Sequence, residues 1–105
     1  MSRTLRILER ARTDVEVIFN WLVHRSVRGA ISWYVAFRLA SAKIADSPES
    51  FSEAAESAAL GRYLRQAFFK TRRGRFYRIV FEFSDSEVFL LRIRGPGQPP
   101  LRRRD

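Results

Sequence analysis

Residues 64–95 read LRQAFFKTRRGRFYRIVFEFSDSEVFLLRIRG, and the way this stretch divides decides the fold. It holds three apolar runs, Leu64–Phe69, Arg75–Phe83 and Glu87–Arg94, each rich in aromatic and β-branched residues and bounded by turn formers. In the second run Tyr77, Ile79, Phe81 and Phe83 alternate with Arg78, Val80 and Glu82, the period of a strand with two unlike faces. In the third, Phe89, Leu91 and Ile93 are set against Val88, Leu90, Arg92 and Arg94 by the same alternation. Lys70-Thr71-Arg72-Arg73-Gly74 forms one turn, with Gly74 available for a positive φ. Ser84-Asp85-Ser86 forms the other, from side chains that bond their own backbone. Turns this short join antiparallel neighbours, so the stretch is predicted to be a three-stranded meander.

A sheet with an apolar face needs cover, and the first half of the chain supplies it. In Arg3–Glu9, Leu5 and Ile7 alternate with Arg6 and Leu8, which predicts a short strand at or near a sheet edge. Thr13-Asp14-Val15-Glu16 has the form of a capping box, which places the start of a first helix at Thr13. Val15, Ile18, Phe19 and Leu22 then give that helix one apolar face. It is expected to stop near Arg25-Ser26, where Ser26 caps a second helix with Arg28–Ala45 as its body. Ala30, Trp33, Tyr34, Phe37 and Ile44 repeat there at helical spacing, and Ala40 allows close packing. The two helices make an αα-hairpin over the sheet. Trp33 and Phe37 are assigned to the core, with base stacking as the alternative role.

Asp46-Ser47-Pro48 ends the second helix. The segment from Asp46 to Glu56 carries Asp46, Glu49, Glu53 and Glu56, no basic residue, and Phe51 as its one large apolar anchor. It reads as a surface loop with a short helical turn around Ser52–Ala59. It is either a solvated connector or a patch that turns anionic ligands away from its side. His24, near the end of the first helix, suits the helix dipole when protonated and is assigned that role rather than a catalytic one. Tyr34, Tyr63 and Tyr77 are candidates for base stacking, with core packing favoured because Tyr77 shares its strand face with Ile79 and Phe81.

The chain of 105 residues is expected to form one α+β domain over residues 1–100, followed by a basic tail over 101–105 expected to be disordered. It has no cysteine and one histidine, which excludes disulfides and thiolate metal sites, and neither a metal nor a cofactor is implied. MSRTLRILER lacks the apolar core of a secretory signal. No apolar run approaches the roughly 18 residues of a membrane span, so a soluble cytoplasmic protein is expected and a membrane is not among its partners. The net charge of +9, with 20 Lys+Arg against 11 Asp+Glu, calls for an anionic partner. Nucleic acid and an acidic protein both fit.

Several short pieces, taken in order, carry a family likeness: Ala30–Trp33, Leu64-Arg65, Gly74, Tyr77-Arg78-Ile79 and Leu91-Arg92-Ile93-Arg94-Gly95. From Ala11 to Pro100 the chain resembles the RelE/ParE toxin superfamily, the toxin half of type II toxin–antitoxin modules, often described as plasmid stabilisation proteins. The resemblance implies a compact α+β fold, an acidic antitoxin that neutralises and oligomerises with the protein, and one of two activities. RelE-like members are ribosome-dependent endoribonucleases that cut messenger RNA. That chemistry needs a cation fork on the phosphate and a proton-transfer group, and Arg78 matches the family's strand arginine. The alternative for Arg78 is a structural ion pair with Glu82 on the same strand face. ParE-like members poison DNA gyrase by binding and have no recognised catalytic constellation.

The candidate target- or nucleic-acid-binding set is Arg65, Lys70, Arg72, Arg73, Arg75, Arg92, Arg94 and Gln98. Where RelE-like members usually carry a histidine or tyrosine beyond the last strand, this chain reads Gly95-Pro96-Gly97-Gln98-Pro99-Pro100. Gln98 hydrogen-bonds but transfers no proton at neutral pH. That departure favours the ParE-like branch. A plain nucleic-acid-binding module without toxicity is the third class.

Overall fold

The computed structural model describes residues 2–102. In chain order the elements are β1 (Thr4–Ile7), α1 (Glu9–Val23), α2 (Val27–Asp46), a 3-10 turn (Pro48–Ser50), α3 (Glu56–Leu60), β2 (Arg65–Phe69), β3 (Tyr77–Phe83) and β4 (Glu87–Arg94). The fold is α+β. β2, β3 and β4 form the antiparallel meander, and β1 joins its β4 edge in parallel, giving one mixed sheet in the order β1-β4-β3-β2. Leu5 and Ile7 of β1 turn towards the core while Thr4 and Arg6 stay exposed, as their alternation requires.

α1 does not begin at Thr13. Leu8 is still extended, its N–H bonds the Leu90 carbonyl of β4, and the helix opens at Glu9 with no side-chain cap. Thr13 therefore lies inside the helix and is exposed. The helix follows β1 almost without a break, and Ala11 is fully buried in the main core. α2 begins as the sequence predicts: the Ser26 hydroxyl accepts from the Gly29 N–H at 3.0 Å. Trp33 and Phe37 stack at 5.9 Å and are almost wholly buried, which places them in the core.

The β2 and β3 runs are both shorter than the apolar pattern: β2 begins at Arg65 rather than Leu64, and β3 at Tyr77, because Arg75 and Phe76 belong to the intervening loop. Gly74 does not adopt a positive φ; Gly61 and Gly97 are the described glycines that do. A side chain at Gly74 would instead collide with the Thr71 hydroxyl. The β4 alternation is also broken. Val80 faces Arg92 while Phe81 faces Leu90, so Leu91 is an extra residue in a β-bulge. Val88 and Leu90 thereby share the core face with Ile93, opposite to the grouping that strict alternation gives.

Two cores result. Under the helical hairpin, Trp33, Phe37 and Ile44 pack on Phe69, Ile79, Phe81, Val88 and Leu90. On the other face of the sheet, Ala54, Leu64, Val80 and Leu101 form a smaller cluster with Leu60 and Leu91 against it. Leu101, which the sequence places in the tail, is 5% exposed and closes this second core. Residues 103–105 of the expected tail lie outside the described residues.

Candidate functional site

Arg78 sits on β3, facing away from the helical hairpin, and its guanidinium is already occupied. Both terminal nitrogens donate to Glu56, at 2.8 and 2.6 Å, and one also reaches Gln66 Oε1 at 3.3 Å. Glu56 is fully buried at the start of α3, and its Oε2 also accepts the Leu101 N–H at 3.1 Å. Burial alone pushes the Glu56 pKa up. The Arg78 fork and the Leu101 N–H outweigh it and hold the group at about 2, well below its ordinary 4.5. The expected pairing with Glu82 does not form, since Glu82 turns to Arg62 instead. Glu56 was the residue hardest to find from sequence. It stands in Glu53-Ala54-Ala55-Glu56-Ser57-Ala58-Ala59, where the small neighbours that let the segment press onto the sheet are the available signal.

Other candidates are similarly held. Arg92 donates to Asp14 on α1 at 2.8 and 3.2 Å, and the same carboxylate accepts the Ile93 N–H at 2.8 Å. Asp14, which lies between the two members of the expected capping box, Thr13 and Glu16, thus ties α1 to β4 just after the bulge. Arg94 donates to the Pro99 carbonyl at 2.9 Å. Arg65 donates to the Phe51 carbonyl and lies over the Tyr63 and Phe83 rings. Gln98 accepts from the Gly95 N–H, pinning the turn after β4.

The remaining predicted cations share one place. Lys70, Arg72, Arg73 and Arg75 lie on the exposed loop between β2 and β3. Lys70 sits 5.3 Å from the Phe76 ring, and none of the four makes an ion pair among the described residues. Phe68 and Phe76, both 58% exposed, pack edge to face beside this loop. The sheet arginines therefore serve the fold, and the loop is the open cationic surface. Among the described residues, no three or more His, Asp or Glu side chains group as a metal site would require. None of the described helices is long and apolar enough to cross a membrane. No protein-family model matches the chain, and no curated protein matches it.

Proposed function

We propose that this chain is the toxin of a type II toxin–antitoxin module of the RelE/ParE kind, closer to the ParE branch. It works in the cytoplasm by binding its target, DNA gyrase on family analogy, and an acidic antitoxin neutralises it. The order and spacing of the Tyr77-Arg78-Ile79 and Leu91–Gly95 motifs support the family. One observation favours binding over cleavage: the Arg78 fork is filled by the chain's own Glu56 carboxylate. An arginine that stabilises a phosphate transition state must present that fork to the substrate. The segment 95–100, next to it in the family pattern, brings no proton-transfer side chain. The acidic partner is supported by Lys70, Arg72, Arg73 and Arg75, whose charges no described carboxylate neutralises.

The test is a gyrase supercoiling assay run beside a ribosome-dependent messenger cleavage assay. Purified protein should inhibit supercoiling, release no RNA fragments, and lose its effect when the acidic product of the neighbouring gene is added. Messenger cleavage that disappears in Arg78→Ala would instead establish the endoribonuclease. Unimpaired supercoiling with no cleavage and no growth arrest on expression would remove the toxin assignment altogether.

A further inference from the structure

The loop that carries the unpaired cations also lines a cavity of about 450 Å³. The last turn of α1 contributes Trp21 to it, the turn joining α1 to α2 contributes Arg25 and Ser26, the loop after β2 contributes Arg73 and Arg75, and Trp33 and Tyr77 line it from the main core. No acidic side chain takes part. Arg25, Arg73 and Arg75 make no ion pair among the described residues, so three arginines line one space without a counter-charge. The start of α2 adds to this field. Ser26 and Gly29 line the cavity, the helix behind them runs for 20 residues, and its first turn carries no carboxylate. Ser26 caps the Gly29 N–H there, but no negative charge offsets the positive end of the dipole.

One feature says that the anion has a ring attached. Trp21 is 54% exposed, although tryptophan is a costly residue to leave in water, and the Arg25 guanidinium lies 4.5 Å from its ring. A bare phosphate would satisfy the arginines and leave the exposed Trp21 ring unexplained.

We propose that this cavity binds a nucleotide, its phosphate held by Arg25, Arg73, Arg75 and the start of α2, and its base placed against the Trp21 and Tyr77 rings. Arginine forks match phosphate oxygens in pairs, and base–aromatic stacking supplies the rest of the affinity. The site lies on the helix-covered side of the sheet, away from the Arg78–Glu56 pair, and does not depend on the toxin assignment.

The chain has 2 tryptophans, and both line this cavity, so intrinsic fluorescence reports on it directly. Full-length protein is titrated with AMP, GMP, a 5′-phosphorylated tetranucleotide, inorganic phosphate and a short acidic peptide containing phenylalanine. Saturable quenching by the mononucleotides is expected, with inorganic phosphate weaker by about tenfold or more because it forgoes stacking. Quenching by the tetranucleotide as well would identify a strand end as the natural source, whereas a response to mononucleotides alone would identify free nucleotide. The paired change Arg73→Ala and Arg75→Ala should weaken binding by about tenfold or more. The pair Arg10→Ala and Lys43→Ala removes the same charge from exposed positions outside the cavity and should leave binding within about twofold. Equal losses in the two paired variants would overturn the proposal in favour of unspecific charge attraction. Quenching by the acidic peptide but by no nucleotide, or by none of the probes, would overturn it too.

Discussion

Glu56 joins two elements and a chain end through one carboxylate. Its oxygens accept from Arg78 on β3 and from the Leu101 N–H, on the second face of the sheet. Because the Glu56 pKa falls from 4.5 in the free side chain to about 2 in the fold, the folded protein resists protonating it. A depressed folded pKa gives stability that is complete above pH 4.5 and is lost as pH falls through 2. The gap corresponds to about 3 kcal/mol. Glu56→Gln should cost about 3 kcal/mol at neutral pH in urea unfolding, since it leaves the Arg78 charge buried without its counter-ion. The variant should also lose the part of acid denaturation that belongs to this window. The double variant Glu56→Leu with Arg78→Met should be less destabilised than the sum of the two single changes, because removing both charges removes the unpaired one. Additive losses would mean that the two side chains stabilise the fold independently, against the geometry.

At the level of elements, the helix and strand pattern was legible wherever one face alone decides it. Val15, Ile18, Phe19 and Leu22 mark α1, and Tyr77, Ile79 and Phe81 mark β3, because each set faces the main core and nothing else competes for it. The capping box was misleading for a physical reason. Thr13-Asp14-Val15-Glu16 satisfies the local pattern, but the helix gains more by running straight on from β1, and Asp14 gains more from Arg92 and the Ile93 N–H than from a backbone amide of its own turn. The β4 bulge was illegible because Leu90-Leu91 gives both registers an apolar residue, so only the partner strand chooses between them. These readings separate in one experiment. Thr13→Ala should change stability by less than about 0.5 kcal/mol, because no cap is lost and alanine favours the helix interior. Asp14→Ala should cost about 2 kcal/mol, since it removes the ion pair to Arg92 and the acceptor of the Ile93 N–H together. The opposite ranking in thermal or urea melts would restore the capping box and sever the α1–β4 tie.

For the whole molecule, the charge of +9 was plain from composition, but its distribution was not, because the decisive pairs join residues far apart in sequence. Arg92 finds Asp14 across 78 positions and Arg78 finds Glu56 across 22. These pairings withdraw the strand arginines from the candidate surface and leave Lys70, Arg72, Arg73 and Arg75 crowded on one loop beside Arg25. The other cross-chain pairs, Arg3–Glu49, Arg6–Glu87 and Arg62–Glu82, each keep one partner at least half exposed, where such pairs contribute little. Self-repulsion therefore outweighs surface pairing in the free protein. Raising sodium chloride from about 20 to about 200 mM, which shortens the screening length from tens of ångströms to under ten, should raise Tm by a few degrees. The same salt should weaken every anionic partner, so stability and affinity must move in opposite directions. Replacing Arg72 and Arg73 by Gln should raise Tm at low salt and flatten its salt dependence, since the repulsion at its densest point is then relieved. A Tm that falls with salt, or a double variant less stable than the parent, would show that the exposed pairs hold the fold together and that the loop's charges are neutralised within the chain.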